Sequence, residues 1–507
     1  MSASPVDADR IPVIIGVGQI NDRPADDAQG LDSLGLMRAA LADAERDTGV
    51  SIDGRIDWLG VVDQISFPDP DIHQHLAQLL PRRPAHILRT REASGDGPVR
   101  LINDAANAIG RGDIRIAAAV GAEALRTASK RTKAAAGAAG AGAGGSNSLL
   151  EAAKAMASPL ARQYGLLTPT DVYPLYENAT RSAWGQSLAE AQAESAAIWS
   201  ELSRTAAANP HAWLRKEIAA EDIARPSADN RVISFPYTKL MVANGSVNQG
   251  AAVILASLAM ARELGVADDG LVYVGAGAAA HEDPDYLRRE SFTESASLNA
   301  TIKHSLRFNG LDVAQIDLVE LYSCFPCIPK MARRQLGWPL DRPHSVYGGL
   351  TFGGGPIGNC MMHAIACMVD TLRGGDGNGL IVANGGFATH SHSIVLTTRP
   401  TRSGLFPQDY SVQAAADETR RARPPLLNTY VGPGRIETYS VPYDRLGAPL
   451  FATIVGRTPD HGRFLAHVDR QNVGVLDFLT SGRCDPVGAR GQARLGADGR
   501  VLWDGER

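Results

Sequence analysis

Ser94-Gly95-Asp96-Gly97-Pro98 leads into an alanine-rich helical pattern, and Gly353-Gly354-Gly355-Pro356 leads into another. After each comes a Gly-Asp turn and then an apolar run, Ile114–Val120 in the first case and Leu380–Ala383 in the second. A glycine loop that opens a helix between two buried strands aims helix-start N–H groups at one spot, which is a place for chemistry. Two such loops predict a duplicated core of enzyme type. Working outward, Ile11–Gly18 predicts a first buried strand, Leu31–Arg46 a helix, and the stretch near Trp58–Ile65 a second strand. The second half repeats the order: Leu271–Gly275 as strand, Ala296–Phe308 as helix, Ile316–Leu321 as strand. Strand, helix, strand with short turns predicts a parallel sheet with crossovers. Ile56-Asp57-Trp58-Leu59-Gly60-Val61 and Ile316-Asp317-Leu318-Val319-Glu320-Leu321 occupy the same place in the two halves. The period is far longer than a solenoid repeat and reads as domain duplication.

Between the halves, Lys130–Ser148 is rich in Ala, Gly and Ser and predicts a mobile linker. Beyond it, Leu188–Ala208 combines good helix formers with an apolar stripe, predicting a mostly helical insertion that ends near Arg231. Pro407 and Arg423-Pro424-Pro425 mark a second linker. From Tyr430 the alternation is that of strands, at Arg435–Val441, Leu450–Val455 and Arg463–Val468, which predicts a small β-barrel of OB size. The expected division is residues 1–129 as the N-terminal half, completed by 232–262; 130–231 as the insertion; 263–405 as the C-terminal half; and 426–507 as the added β-domain.

At 507 residues the chain exceeds a single hydrophobic core. Its 44% hydrophobic and 21% charged content is that of a soluble protein, and the net charge of −5 offers no basic face for nucleic acid or an anionic membrane. From Asn428 onward ten arginines face nine acids, so the barrel lacks the basic, aromatic groove of a nucleic-acid binder. Five cysteines, none before Cys324, do not make a disulfide framework, and the polar Met1–Arg10 shows no secretory signal. The cytoplasm is the expected compartment. His390 and His392 have a spacing some metal sites use, but without a third ligand no metal is expected.

Four stretches carry a resemblance. Val242-Ala243-Asn244-Gly245-Ser246-Val247-Asn248-Gln249-Gly250-Ala251-Ala252 resembles the asparagine- and glycine-rich loop of thiolases. Glu320-Leu321-Tyr322-Ser323-Cys324-Phe325 resembles their Asn-Glu-Ala-Phe motif, and more closely the His-Asp-Cys-Phe form of sterol-carrier-protein-type thiolases. Gly348–Gly358 resembles the stretch ending in Gly-His-Pro, and Ala383-Asn384-Gly385-Gly386 sits where thiolases carry Cys-x-Gly-Gly. Order and spacing agree over about Pro12–Pro400, and the terminal β-domain is similar to that of thiolase-like proteins with an additional C-terminal domain.

The resemblance implies an α/β thiolase fold, a duplicated five-layer αβαβα core, with a mostly helical inserted loop domain and a C-terminal OB-like barrel. It implies CoA or an acyl-CoA as ligand, with no further cofactor. It also implies a homodimer, or a protein partner met through the C-terminal domain; the altered loops leave that choice open. Claisen chemistry needs a thiolate to hold the acyl group, a second acid/base, and oxyanion holes. The nucleophile position falls within Ala93–Gly97, where no cysteine stands, and aligns best with Gly95; the histidine of Gly-His-Pro aligns with Gly355, the second cysteine with Ala383, and the asparagine of Asn-Glu-Ala-Phe with Tyr322, which could still donate to an oxyanion. Ordinary thiolase turnover is therefore expected to be absent or very slow. Cys324 is either a surviving acid/base for an acyltransferase or retro-Claisen reaction, or a buried thiol acting as a small hydrophobe. Ser94, Gly95, Gly97, Ser246, Phe325, Gly354, Gly355, Pro356, Asn384 and Gly385 are the expected lining for CoA, the glycines being equally readable as tight turns and Ser94 as a cap.

Overall fold

The computed structural model describes residues 7–52, 54–139, 154, 157–402 and 404–505. Sixteen strands organise these residues: β1 Pro12–Asn21, β2 Trp58–Val61, β3 His86–Arg89, β4 Ile116–Ala124, β5 Val232–Phe235, β6 Tyr237–Thr238, β7 Asn248–Ser257, β8 Val272–His281, β9 Leu318–Leu321, β10 Asn378–Gly385, β11 His390–Thr397, β12 Gly432–Pro442, β13 Phe451–Arg457, β14 Arg463–Asp469, β15 Arg490–Leu495 and β16 Val501–Gly505.

Nine of them form one sheet in the order β3-β2-β4-β7-β1-β8-β11-β10-β9. The duplication is visible in that order, because β1, β2, β4 and β7 of one half answer to β8, β9, β10 and β11 of the other. The halves meet where β1 and β8 pair antiparallel at Val13–Tyr273 and Ile14–Val272. The sheet is mixed rather than parallel: β2 runs parallel to β3 and β4, but β7 is antiparallel to β4 and β1, and β11 to β10 and β8. Each half closes with a strand that returns directly beside its neighbour, and periodicity within a strand carries no sign of its partner's direction.

Helices Gly97–Arg111 and Cys360–Arg373, the two that follow the glycine loops, lie between the half-sheets and touch strands of both. Proline sits in the first turn of Gly97–Arg111, and Gly112 ends it in the left-handed region at φ 80°. Helices Ser33–Asp47 and Ile72–Gln78 cover the outer face of the first half-sheet through Leu36, Met37, Ile72 and Leu76. Ala296–Asn309 and Cys327–Leu336 cover the second through Leu298, Ile302, Met331 and Leu336. The expected five layers are all present.

The insertion contains Leu188–Ala208 as a helix with the expected bounds, opened by a capping box of Ser187 and Glu190. It also holds helix Pro169–Ala183, which the sequence did not announce. The expected linker Lys130–Ser148 is corrected in its first part, since Leu125–Ala139 is helical; the alanines there favour a helix over a coil. Residues 140–148 of that stretch lie outside the described residues. The second linker is also corrected. It carries helix Gln413–Glu418, and its arginines are clasped by acids of the C-terminal half: Arg420 by Glu282 and Glu290, and Arg423 by Asp283 at 2.7 Å.

β12, β13, β14, β16 and β15 close into a five-stranded barrel through the additional β12–β13 pairing. β14 and β16 run parallel, and helix Val473–Thr480 lies between the third and fourth strands in sequence, which is the OB arrangement. β5 and β6, directly after the insertion, extend the same sheet from β12.

Candidate functional site

The two glycine loops meet at the centre of the molecule. A Cβ on Gly358 would come within 2.9 Å of the Ala93 carbonyl carbon, so the second loop rests on the first. Gly95, which the motif resemblance aligns with the nucleophile, faces Tyr322. A Cβ at residue 95 would lie 2.4 Å from the Tyr322 hydroxyl, 2.7 Å from its ring and 2.4 Å from the Asn384 carbonyl oxygen. Contacts that short force a shift, so the space a nucleophilic side chain would use is occupied by Tyr322.

Around Tyr322 the remaining polar groups are turned on one another. Cys360 Sγ lies 3.7 Å from the Tyr322 hydroxyl. Asn384 Nδ2 donates to the Tyr173 hydroxyl at 3.2 Å, and that hydroxyl donates to the Gly386 carbonyl at 3.1 Å. Phe325 is buried and stacks on Tyr173 with ring centroids 4.5 Å apart, and Tyr237 flanks its ring at 5.4 Å. Cys324 is buried beside them, near Tyr173. Burial pushes the thiols of Cys324 and Cys360 up to about 12, against the opposing pull of the Tyr173 and Tyr322 hydroxyls respectively. Burial, then the neighbouring Cys360 and Cys324, also raises Tyr322 well above the ordinary phenol. At neutral pH these two thiols and Tyr322 are therefore uncharged.

Asp96 is the N-cap of helix Gly97–Arg111 and is 4% exposed. Ser94 Oγ donates to its Oδ1, and the Ser94 carbonyl accepts the Gly97 N–H at 2.9 Å, so Ser94 makes a turn. Placing a carboxylate at the helix start satisfies the dipole with a resident negative charge. Gly97 follows it within the first turn of the same helix.

In the second loop, Gly354 has φ 115°, and a Cβ there would come 2.0 Å from Gln249 Oε1. Its carbonyl accepts the Tyr347 hydroxyl at 3.1 Å. The Gly355 N–H donates to the Asn244 carbonyl at 2.9 Å, so it is already engaged. Pro356 is buried behind it, while Ser246 is exposed on the neighbouring loop, its N–H held by Asn244 Oδ1 at 3.2 Å. Gly385 lies against Ser94 and Asp96, where a Cβ would be 2.1 Å from Ser94 Oγ. The structure thus gathers Gly95, Tyr322, Cys324, Phe325 and Asn384 in one closed cluster. Ser94, Gly97 and Gly385 border it, and Gly354, Gly355, Pro356 and Ser246 form a rim.

Tyr173, Asp96 and Cys360 are parts of this cluster that the sequence reading did not assign. Tyr173 comes from the insertion, where only the Thr168–Asp171 capping box marks the helix that carries it. Cys360 opens the second central helix, whose position was legible from its glycine loop. His392 is buried, and burial lowers it to about 4, the Asp96 charge pulling the other way. Among the described residues no three His, Cys, Asp or Glu are grouped to hold a metal ion, and no helix is long and apolar enough to cross a membrane.

Residues 412–505 match a family described as the additional C-terminal domain of thiolase-like protein type 1. Over the whole chain, a monomeric SCP2-thiolase-like protein type 1 from Mycobacterium smegmatis is similar at 28% identity, covering 98% of this chain and 99% of that one, with a TM-score of 0.82. The dimeric peroxisomal thiolase of Saccharomyces cerevisiae shares the fold at 16% identity and TM-score 0.56, over 77% of this chain and 98% of its own. Human mitochondrial 3-ketoacyl-CoA thiolase in complex with CoA does so at 15% and 0.57, over 78% of this chain and 100% of its own. No curated protein matches the sequence. The chain has the thiolase fold, and its last domain matches the additional C-terminal domain of thiolase-like protein type 1.

Proposed function

We propose that this protein binds CoA or an acyl-CoA thioester without forming an acyl-enzyme, so that ordinary thiolase turnover is absent or very slow. The observation that carries the reading is Tyr322, whose ring and hydroxyl fill the volume beside Gly95 that a nucleophile would need. Asp96 adds to it, because an anion brought to that helix start meets a buried carboxylate. The CoA side of the reading rests on the likeness to a thiolase solved with CoA and on the rim loops Asn244–Ser246 and Gly354–Pro356. Cys324 stands near 12 and stays a thiol at neutral pH, which suits a proton donor and not a thiolate base. Five unpaired cysteines fit a reducing cytoplasm.

Calorimetric titration with CoA and acetyl-CoA, run beside a thiolysis assay with acetoacetyl-CoA, tests both parts. Heat of binding with no product formation is expected. Turnover within a few orders of magnitude of a thiolase, abolished by Cys324→Ala, would replace this reading with acid/base catalysis by Cys324.

A further inference from the structure

The rim above the closed cluster carries cations that no step of the chemistry uses. Trp213, in the insertion, donates its N–H to the Gly353 carbonyl at 2.9 Å, and Leu214 donates to Phe352 at 2.7 Å, so this segment lies over the second glycine loop. The Arg23 guanidinium sits 4.1 Å above the Trp213 ring and donates to the Trp213 carbonyl, which fixes its plane. Arg126 approaches the same ring at 5.7 Å and is held from behind by Asp27, Nε to Oδ1 at 3.2 Å and Nη2 to Oδ2 at 2.7 Å. Its N–H bonds the Val247 carbonyl at 3.4 Å, next to the loop that carries Ser246.

Arg215 completes the group. Glu217, two residues on, is engaged by Arg204 at 3.1 Å. Arg215 follows Leu214 on the segment that lies over the second glycine loop, and burial first, then the charges of Arg126 and Arg215, lower Arg23 from the usual arginine value. Such an arrangement on a chain of net charge −5 is costly without an anion to share. Two of the three, Arg23 and Arg215, have no carboxylate partner among the described residues. A guanidinium with a fixed plane suits the paired oxygens of a phosphate, and a preorganised fork loses little freedom when it binds.

From this geometry we infer a phosphate-binding site formed by Arg23, Arg126 and Arg215 around Trp213, which takes the nucleotide phosphates of a ligand whose other end reaches the Ser246–Gly355 rim. With CoA as the ligand, this rests on the proposed function and gives it an anchoring end. A free nucleotide offers the same phosphate chemistry and is separated from CoA by the test.

The test titrates the full-length protein calorimetrically with CoA, with 3′,5′-ADP and with pantetheine, at two salt concentrations. It compares the wild type with an Arg23→Gln/Arg215→Gln double variant of matched melting temperature; both side chains are exposed, so folding should be retained. The double variant is expected to bind CoA and 3′,5′-ADP at least about tenfold more weakly, with a shallower salt dependence and unchanged response to pantetheine. Equal CoA and 3′,5′-ADP affinities in the two proteins overturn the phosphate site while leaving CoA binding standing. Arginine-dependent binding of 3′,5′-ADP with no binding of CoA sinks the CoA reading and assigns the site to a free nucleotide. No binding of either by the wild type, or an equal loss for pantetheine, overturns the site.

Discussion

At the scale of single residues, Gly95 and Tyr322 are a complementary pair, one lacking a side chain where the other places a ring. Gly95→Ala is expected to destabilise the protein by about 1–3 kcal/mol, as overpacking does. In a Tyr322→Ala background the added methyl loses its closest ring and hydroxyl contacts, so a double-mutant cycle should return a coupling of about 0.5–3 kcal/mol. Additive losses would mean that Tyr322 does not fill the slot. The thiols give a second measurement, since Cys324, Cys327, Cys360 and Cys367 are buried and Cys484 is exposed. Ellman's reagent should label one thiol in the native protein at pH 8 and five after unfolding; fast native labelling of Cys324→Ser-sensitive thiol would revive Cys324 as a reactive group. Glu320 is the third case. Burial raises it to about 8, although Ser345 Oγ at 2.7 Å and the Val346 N–H at 3.0 Å pull the other way. A folded value above the ordinary 4.5 means the unfolded chain releases the proton more readily, so this stability is complete below about 4.5 and is lost as pH rises toward 8. Glu320→Gln should flatten that decline in urea midpoints; an unchanged slope would place the titration elsewhere.

At the scale of elements, much was legible in the sequence, and the misses have physical causes. The central helices were found because glycine loops and caps are local, and Leu188–Ala208 because its start is written in Ser187 and Glu190. The antiparallel direction of β7 and β11 was not legible, because both are buried along almost their whole length and show no alternation that would mark a direction. In the candidate site the glycine loops and the stretch around Cys324 could be located in the sequence, but Tyr173 comes beside Cys324 from an insertion whose packing no local pattern encodes. The strap after Pro407 was missed for a similar reason: its arginines look like a solvated charge run until Glu282 and Glu290 are seen beneath them. Burial alone would raise Glu282, but the Arg289 charge, the Ser297 N–H and Arg420 bring it down to about 2. Its folded value is thus depressed, so the stability it lends is present above about 4.5 and lost as pH falls toward 2. Arg420→Ala removes one of the groups that hold the buried Glu282 carboxylate and is expected to cost about 3 kcal/mol at pH 7, with a smaller loss near pH 2, where Glu282 takes up its proton. An equal loss at both values would attribute the effect to packing of the strap.

At the scale of the whole molecule, the barrel is built into the body. The OB surface that binds ligands elsewhere is the face of its second and third strands, here β13 and β14. Thr453 on β13 donates to the Tyr164 carbonyl at 2.6 Å, and Arg463 on β14 donates to the carbonyls of Leu287 and Arg289, each at 2.6 Å. That face is covered by the thiolase core and its insertion. β12 is bound in turn by helix Pro169–Ala183, where Asn178 Nδ2 donates to the Tyr439 carbonyl at 2.9 Å, and Arg181 pairs with Asp485 at 2.7 Å. Since the same helix carries Tyr173 into the candidate site, the barrel braces the wall of the cluster around Tyr322. One continuous set of buried apolar residues runs from Ile102 and Ile365 through Tyr173 to Ile454 and Leu465. A shared core of this kind predicts that barrel and body unfold together, in a single calorimetric transition of the full chain. Deleting 426–507 should strip apolar cover from helix Pro169–Ala183 and give an aggregating or partly unfolded product. Two separated transitions, or a truncated chain that melts like the parent, would show the barrel to be an appended module with its own core.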